Sequence, residues 1–377
     1  MAIELSLPMG ICRYEEELSA GEPAVRAEES DQARSIAENS IADSLSRDGV
    51  SGRPATLKIV PVIAYFGPAH TFTEMALDAI LASRRPAALI DVPDADIERV
   101  PAANPAAAIA LVRSGEADFG CVPIESSLEG SVPATMDALV PPADGGRVQV
   151  FAEVILDIAF TIAAATPLEP AAVRTVAAYP VASAQVRESV ARLFPNADFV
   201  VASSNAAAAQ DVSNGLANAA VTTRPAADAL DLVVLADGVA DADDAATRFL
   251  LVGRPAPPDP PSGADRTAVI LSLRNEPGSL VSAMSEFATR GVDLTRIESR
   301  PRQDIDRSTA AHYRFFLDAA GHLDDDAVGE TLRALHRRAD SVVFLGSWPA
   351  DRGQLGSLPP DHAESVQWYH SLQQGEK

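Results

Sequence analysis

Five prolines fall within the stretch Arg254-Pro255-Ala256-Pro257-Pro258-Asp259-Pro260-Pro261-Ser262-Gly263. Proline has no amide proton to give to a helix interior or a central strand, and its fixed φ stiffens an extended chain. The stretch is therefore the clearest boundary in the sequence, and the segments on its two sides must each build regular structure of their own. With 377 residues, 47% of them hydrophobic, the chain has material for two such units and some tail.

Before the prolines, apolar runs alternate with helical periodicity. Residues 57–66 read as a strand broken by Gly67-Pro68, after which Thr71-Phe72-Thr73-Glu74 opens a helix with hydroxyls to cap free N–H groups and an acid in the first turn. A helix over 104–114 ends at Gly115 and a strand over 117–124 comes next. The run Phe119-Gly-Cys-Val-Pro-Ile-Glu125-Ser126-Ser127-Leu-Glu-Gly130-Ser-Val132 begins as a buried strand and ends in polar residues, so its polar groups sit past the strand's carboxyl end, where open α/β sheets collect ligands. Gly130 permits a tight turn before a helix over 133–140. Residues 151–165 and 173–178 are strand-like, and a helix over 182–193 follows Tyr179-Pro180. A strand over 199–202 runs into Ser203-Ser204-Asn205 and a helix over 206–216; strands at 219–223, 233–235 and 249–252 complete the series. This alternation predicts a parallel-rich, doubly wound α/β architecture whose polar clusters after Gly67, at Glu125, at Ser203 and at Thr222 converge on one cleft.

After the prolines come an alternating strand at 267–273, a helix at 280–290, strands at 294–300 and 312–318, a helix at 325–339 and a strand at 342–346, which is the β-α-β-β-α-β order of a ferredoxin-like plait. The expected divisions are an acidic, mobile extension over 1–56 with one short helix at 31–45, the α/β unit over 57–254, a linker over 255–265, the plait over 266–349 and a tail over 350–377.

The formal charge of −23, from 53 acidic and 30 basic residues, argues against a nucleic-acid partner or an anionic membrane surface. A small anion stays compatible, because helix N-termini bind carboxylates without a basic patch. Cys12 and Cys121 are too few and too far apart for a disulfide framework or a zinc site, so no metal is expected and the setting is a reducing cytoplasm. No apolar run reaches the roughly 18 residues of a membrane span.

Several separated segments resemble one family. Gly67-Pro68-Ala69-His70-Thr71-Phe72-Thr73-Glu74, Val122-Pro123-Ile124-Glu125-Ser126-Ser127 through Gly130-Ser131-Val132, and Thr247-Arg248-Phe249 are similar to three signatures of prephenate dehydratases. The plait resembles an ACT regulatory domain, with Gly278-Ser279-Leu280 and Glu298-Ser299-Arg300-Pro301 matching segments that bind phenylalanine there. The resemblance implies a bilobal catalytic unit like the type II periplasmic binding proteins, with chain crossings near 148–158 and 236–248. It implies conversion of prephenate to phenylpyruvate without cofactor or metal, feedback by L-phenylalanine, and a homodimer or homotetramer.

By motif match Thr247 is the first catalytic candidate, a hydroxyl able to donate to the departing oxygen. Glu125 is read either as a proton donor in an apolar cleft or as a group that orients Ser127 and water. Arg248 is read as the partner of a pocket carboxylate or of substrate, with a structural ion pair as the alternative. His70, Thr71, Phe72, Thr73, Ser126, Gly130, Gln185, Ser204, Asn205 and Phe249 are the candidate substrate contacts. His70 stands where the first signature usually has glycine, and Ser126 where the second usually has asparagine, a change that removes an amide donor. Two further readings remain: a related enzyme that decarboxylates prephenate or an analogue without forming an aromatic ring, and a sensor that binds an anion and an amino acid without turnover.

Overall fold

The computed structural model describes residues 60–143, 145–242, 244–302, 313–352 and 356–375. The acidic extension and its expected helix at 31–45 lie outside the described residues. The chain runs β1 (Val62–Phe66), α1 (Phe72–Ser83), β2 (Glu98–Ala102), α2 (Pro105–Ser114), β3 (Phe119–Ser126), β4 (Gly130–Ser131), α3 (Pro133–Leu139), β5 (Gln149–Asp157) and β6 (Phe160–Ala164). It continues with β7 (Thr175–Ala178), α4 (Pro180–Gln185), α5 (Arg187–Leu193), β8 (Asp198–Val201), α6 (Asn205–Ser213), β9 (Ala219–Thr222), α7 (Arg224–Ala229), β10 (Val233–Val239) and β11 (Ala246–Gly253). The last third holds β12 (Asp265–Ser272), α8 (Ser279–Ala288), β13 (Leu294–Pro301), β14 (Tyr313–Ala320), α9 (Asp326–Arg338), β15 (Ser341–Pro349) and α10 (Ala363–Gln374).

The described residues form three sheets. The first lobe has the order β2-β1-β3-β11-β5, with β4 folded back on β3; the second has β10-β6-β9-β7-β8; the plait has β13-β14-β12-β15. Neither lobe is as parallel as the alternation of elements suggested. β1 pairs in parallel with β2 and β3, and β7 with β8 and β9, but β11 and β6 enter their sheets antiparallel. Those antiparallel strands are the ones that cross between lobes. The apolar run expected as one strand over 151–165 is accordingly two, β5 in the first lobe and β6 in the second, and Ile158 N–H donates to Ala245 O where the two crossings pass side by side. The expected helix at 182–193 is likewise broken at Val186, which leaves α4 and α5.

Helix starts reflect local chemistry. Asn104 accepts from Ala107 N–H ahead of Pro105, Ser204 from Ala207 N–H, and Thr223 from Ala226 N–H. Thr71, expected to cap α1, does not: its hydroxyl donates back to Pro68 O.

The plait does not hang on its linker. One face of its sheet is covered by α8 and α9 through Val269, Leu271, Phe287, Leu317, Val328 and Leu335. The other lies on the first lobe, where Ala268, Ile270, Phe316, Leu345 and Trp348 share one core with Val122, Ile124, Val150 and Leu250. All eight residues of β12 are buried for this reason, where alternation had been expected. The proline stretch is itself docked, with Gln149 Nε2 donating to Ala256 O and Ala87 N–H to Asp259. Among the described residues, no helix is long and apolar enough to cross a membrane.

Contact between β15 and β5 requires Gly346, whose φ is +137° and whose added Cβ would lie 2.4 Å from Val150 O. Gly346→Ala is expected to cost about 1–3 kcal/mol more than Gly263→Ala, which shares a positive φ but has open space around the Cβ. Urea midpoints of the two variants check this, and equal midpoints would show that the contact tolerates a methyl group.

Candidate active site

A cavity of about 1000 Å³ opens between the lobes. The first lobe contributes residues 66–73, 101–103, Pro123 and Phe249; the second contributes Tyr179, residues 203–207 and Gln210. The start of α1 and the start of α6 both reach it, so His70, Thr71, Phe72, Thr73, Ser204 and Asn205 are where the sequence pattern expected them. Asn205 keeps its buried Oδ1 without a partner, while Thr222 Oγ1 donates to its carbonyl. The lobes touch at this corner: Thr223 Oγ1 donates to His70 O at 2.6 Å, and Phe72 meets Phe160 edge to face at 5.4 Å.

The turn before α1 is held by Glu74, which accepts from His70 N–H and lies within 4.0 Å of Arg99. Burial, helped by Glu74, pushes the Tyr65 phenol up to about 12. His70 adopts φ +66°, in the left-handed region. That conformation explains why glycine suits the position and why this histidine is a bulky tenant of it.

Strand β11 separates two roles by its alternation. Thr247 and Phe249 share one face, and Phe249 lines the cavity; Thr247, two residues earlier on that face and in register with Ser126 and Leu156, is not itself among the lining residues. Among the described residues the Thr247 hydroxyl has no hydrogen-bond partner. The other hydroxyls nearby are engaged. Ser126 Oγ accepts from Leu128 and Glu129 N–H across the turn that Gly130, at φ +77°, closes. Ser127 Oγ accepts from Ala246 N–H and donates to Asp244 O, which ties the end of β3 to the crossing strand.

Arg248 points the opposite way and is buried among carboxylates: Asp318 Oδ2 at 2.6 Å, Glu153 Oε2 at 3.2 Å and Glu125 Oε2 at 3.6 Å. Arg266 reaches the same Glu153 and Asp318, and Arg296 lies 3.3 Å from Glu125. Burial works against the charge on Arg248, but Asp318 and Glu153 outweigh it and its pKa is raised. Burial would raise the Asp318 carboxyl; Arg248, then Arg266 and Arg296, outweigh that and hold it below the usual carboxylate range. Of the two readings of Arg248, the ion pair is the one this geometry carries.

Glu125 is turned to the same cluster by a bulge. Arg248 pairs with Glu125 but Phe249 with Pro123, so Ile124 has no counterpart and the side chain beyond it is re-aimed. It is not the isolated carboxyl that a proton donor in an apolar cleft requires. Gln185 is not part of the cavity wall, and its carbonyl receives Asp241 N–H at the second crossing.

In the plait, Gly278 and Ser279 border a separate cavity of about 390 Å³, and Leu280 follows half-buried in α8. None of residues 298–301 lines it. On β13 the covered and exposed residues alternate: Glu298 accepts from Ser131 Oγ and Arg300 pairs with Asp137, whereas Ser299 and Pro301 are exposed. Sequence reasoning missed Tyr179, Glu74, Thr223, Glu153, Arg266, Arg296 and Asp318. A charged residue within a largely apolar run, as Glu153 is within 151–165, was the available signal for Glu153 and Asp318.

Two α/β lobes closing on a cavity lined by helix N-termini, with a βαββαβ plait packed behind, define a two-lobed small-molecule-binding class with an appended ACT-type unit. The family model for prephenate dehydratase matches residues 63–257, and that for the ACT domain residues 267–337. A prephenate dehydratase of Mycolicibacterium vanbaalenii is 52% identical over 318 residues, 84% of this chain and 99% of the relative. The crystal structure of a prephenate dehydratase from Arthrobacter aurescens in complex with L-Phe is 36% identical with a TM-score of 0.70, covering 83% of this chain and 99% of that one. A structure described as GqqA, a novel type of quorum quenching acylase, is 28% identical with a TM-score of 0.64, covering 77% of this chain and 98% of that one. The chain belongs to the prephenate dehydratase family.

This geometry has two measurable consequences. His70→Val should be less stable than His70→Gly by about 1–3 kcal/mol, because a β-branched residue strains at φ +66°; matched chemical-denaturation curves read the difference. Asp318 is held below its unfolded value, so its contribution is complete above that value and is lost as pH falls through the folded one. The stability gap between the parent and Asp318→Asn should thus be full at pH 7 and narrow only as pH falls below about 4, the value of Asp in an unfolded chain. A gap independent of pH would contradict the ion pairing.

Proposed function

We propose that the chain is a prephenate dehydratase regulated by phenylalanine. The observation that carries the reading is the free Thr247 hydroxyl, in register with Ser126 and on the same face of β11 as Phe249, which lines a cavity into which two helix starts project. Prephenate is a cyclohexadiene with two carboxylates and a ring hydroxyl. When its ring carboxylate leaves as carbon dioxide, the freed electron pair completes the aromatic ring as hydroxide departs, and a proton turns that hydroxide into water. The driving force resides in the substrate, so the site need only position it, help the oxygen leave and exclude water from the departing carboxylate.

Thr247 donates to the departing oxygen. Helix α1, whose start carries no side-chain cap, offers N–H groups to one carboxylate, and the start of α6 with Ser204 and Asn205 faces the other. Ser126, Ser127 and Gly130 shape the turn at the end of β3, while Arg248 and Glu125 hold its strands. An acyl-cleaving reading would need a hydroxyl nucleophile next to a base. Ser126 and Ser127 are both engaged by backbone groups, which favours dehydration.

Phenylalanine binds the plait in this reading. Support comes from the ACT match and from the relative solved with L-Phe. Because the cavity at Gly278 contains none of residues 298–301, a complete amino-acid site calls for a second copy of the chain, paired along edge strand β13, where Ile297 is exposed. The assembly is then a homodimer or a tetramer built from such pairs.

The purified protein should turn prephenate into phenylpyruvate, followed by ultraviolet absorbance and chromatography. Thr247→Ala should lower kcat by about 100-fold or more while the protein stays folded. Millimolar phenylalanine should depress turnover and raise Tm. A non-aromatic decarboxylated product, or binding with no product, would replace this reading with one of its two alternatives.

A further inference from the structure

Strand β13 carries Arg296, Glu298 and Arg300 on one face, at the two-residue period of a strand, and all three bear on the first lobe. Arg296 Nη2 donates to Ser131 Oγ at 2.6 Å, and Ser131 Oγ donates to Glu298 Oε2 at 3.0 Å. Arg300 grips Asp137 on α3 with two hydrogen bonds of 2.8 and 2.7 Å. Arg296 Nε also lies 3.3 Å from Glu125. Ser131 is the residue of β4 that pairs with Glu125, and its neighbour Gly130 pairs with Ser126, which is in turn in register with Thr247. The alternate residues Ile297, Ser299 and Pro301 are exposed on the other side of the strand.

The segment 298–301 is thus two-faced. Ser299 and Pro301 face outward, whereas Glu298 faces the hairpin at the end of β3, the strand whose Pro123 lines the cavity, and Arg300 faces α3. We propose that Arg296, Glu298 and Arg300 are positioning residues for the reaction: they hold residues 125–131 and α3 in place, and phenylalanine on the plait alters turnover through them. This rests on the dehydratase reading above. A ligand that displaces β13 has no soft linker to absorb the movement, because the plait and the first lobe share one core. The displacement is delivered to Ser131 and Asp137, and from them to the Ser126–Thr247 register.

The test alters the lobe side of the contact, away from either ligand: Ser131→Ala with Asp137→Asn, at a half-buried and an exposed position where folding is at little risk. Expected are a kcat lowered by about three- to tenfold with KM within about twofold, since positioning acts on the transition state rather than on uniform binding. By calorimetry phenylalanine should bind within about twofold of the parent affinity, yet its saturating inhibition should be largely abolished. Exchanging the charges supplies the rescue. Arg300→Asp and Asp137→Arg should each weaken inhibition, and the two together should restore it. Full inhibition in the Ser131→Ala, Asp137→Asn variant, no rescue by the exchange, or a parent that does not bind phenylalanine overturns the proposal. Absence of turnover in the parent defeats the dehydratase reading instead. The coupling is then read without turnover, as a change in prephenate affinity on adding phenylalanine, present in the parent and lost in the variant if the proposal holds, and overturned if both behave alike.

Discussion

Arg248, Arg266 and Arg296 meet Glu125, Glu153 and Asp318 where the first lobe rests on the plait, and the charges balance three against three. Arg248, Arg266, Glu153 and Asp318 are buried, and charges so buried are tolerable only when each has its partners; removing one leaves another uncompensated. The cluster adds little net stability over a packed apolar contact. What it supplies is a fixed register, because the strands carrying these groups cannot slide without separating charges in a low dielectric. Arg248 is the pivot: it comes directly after Thr247 in sequence and faces away from the cavity, so that whatever fixes its guanidinium fixes the strand from which Thr247 projects.

The cavity itself needs few charges. Helix starts and backbone N–H groups from both lobes surround it, which reconciles a strongly acidic protein with an anionic substrate. The chain crosses between the lobes twice, and the crossings lie side by side at Ile158 and Ala245. The cavity lies between the two lobes that these crossings join. Thr223 and Phe160 of the second lobe hold the α1 turn from the opposite side.

Most of the element order was legible in the sequence. Runs such as 117–124 and 219–223 are apolar enough to be strands wherever they sit, and Asn104, Ser204 and Gly115 mark helix ends by local chemistry. The plait was legible from its order of elements. The splitting of 151–165 was not legible, since two acids, Glu153 and Asp157, in an otherwise apolar run do not say that its two halves belong to different sheets. Nor was the bulge at Ile124, which arises from pairing with a strand more than 120 residues later and turns Glu125 toward Arg248 and Arg296.

By itself the sequence determined what short-range chemistry can encode: the alternating α/β pattern, the plait, the helix starts and the motif segments that border the cavity. It also named Thr247 through its neighbours in sequence. Only tertiary structure decided which hydroxyls stay free, that Arg248 pairs with Asp318, Glu153 and Glu125, and that a chain divided by five prolines nonetheless has one core across the division. The physical reason is that hydrogen-bond and charge partners are fixed by strand register and sheet packing. Those are properties of residues far apart in the chain, and no local pattern of side chains carries them.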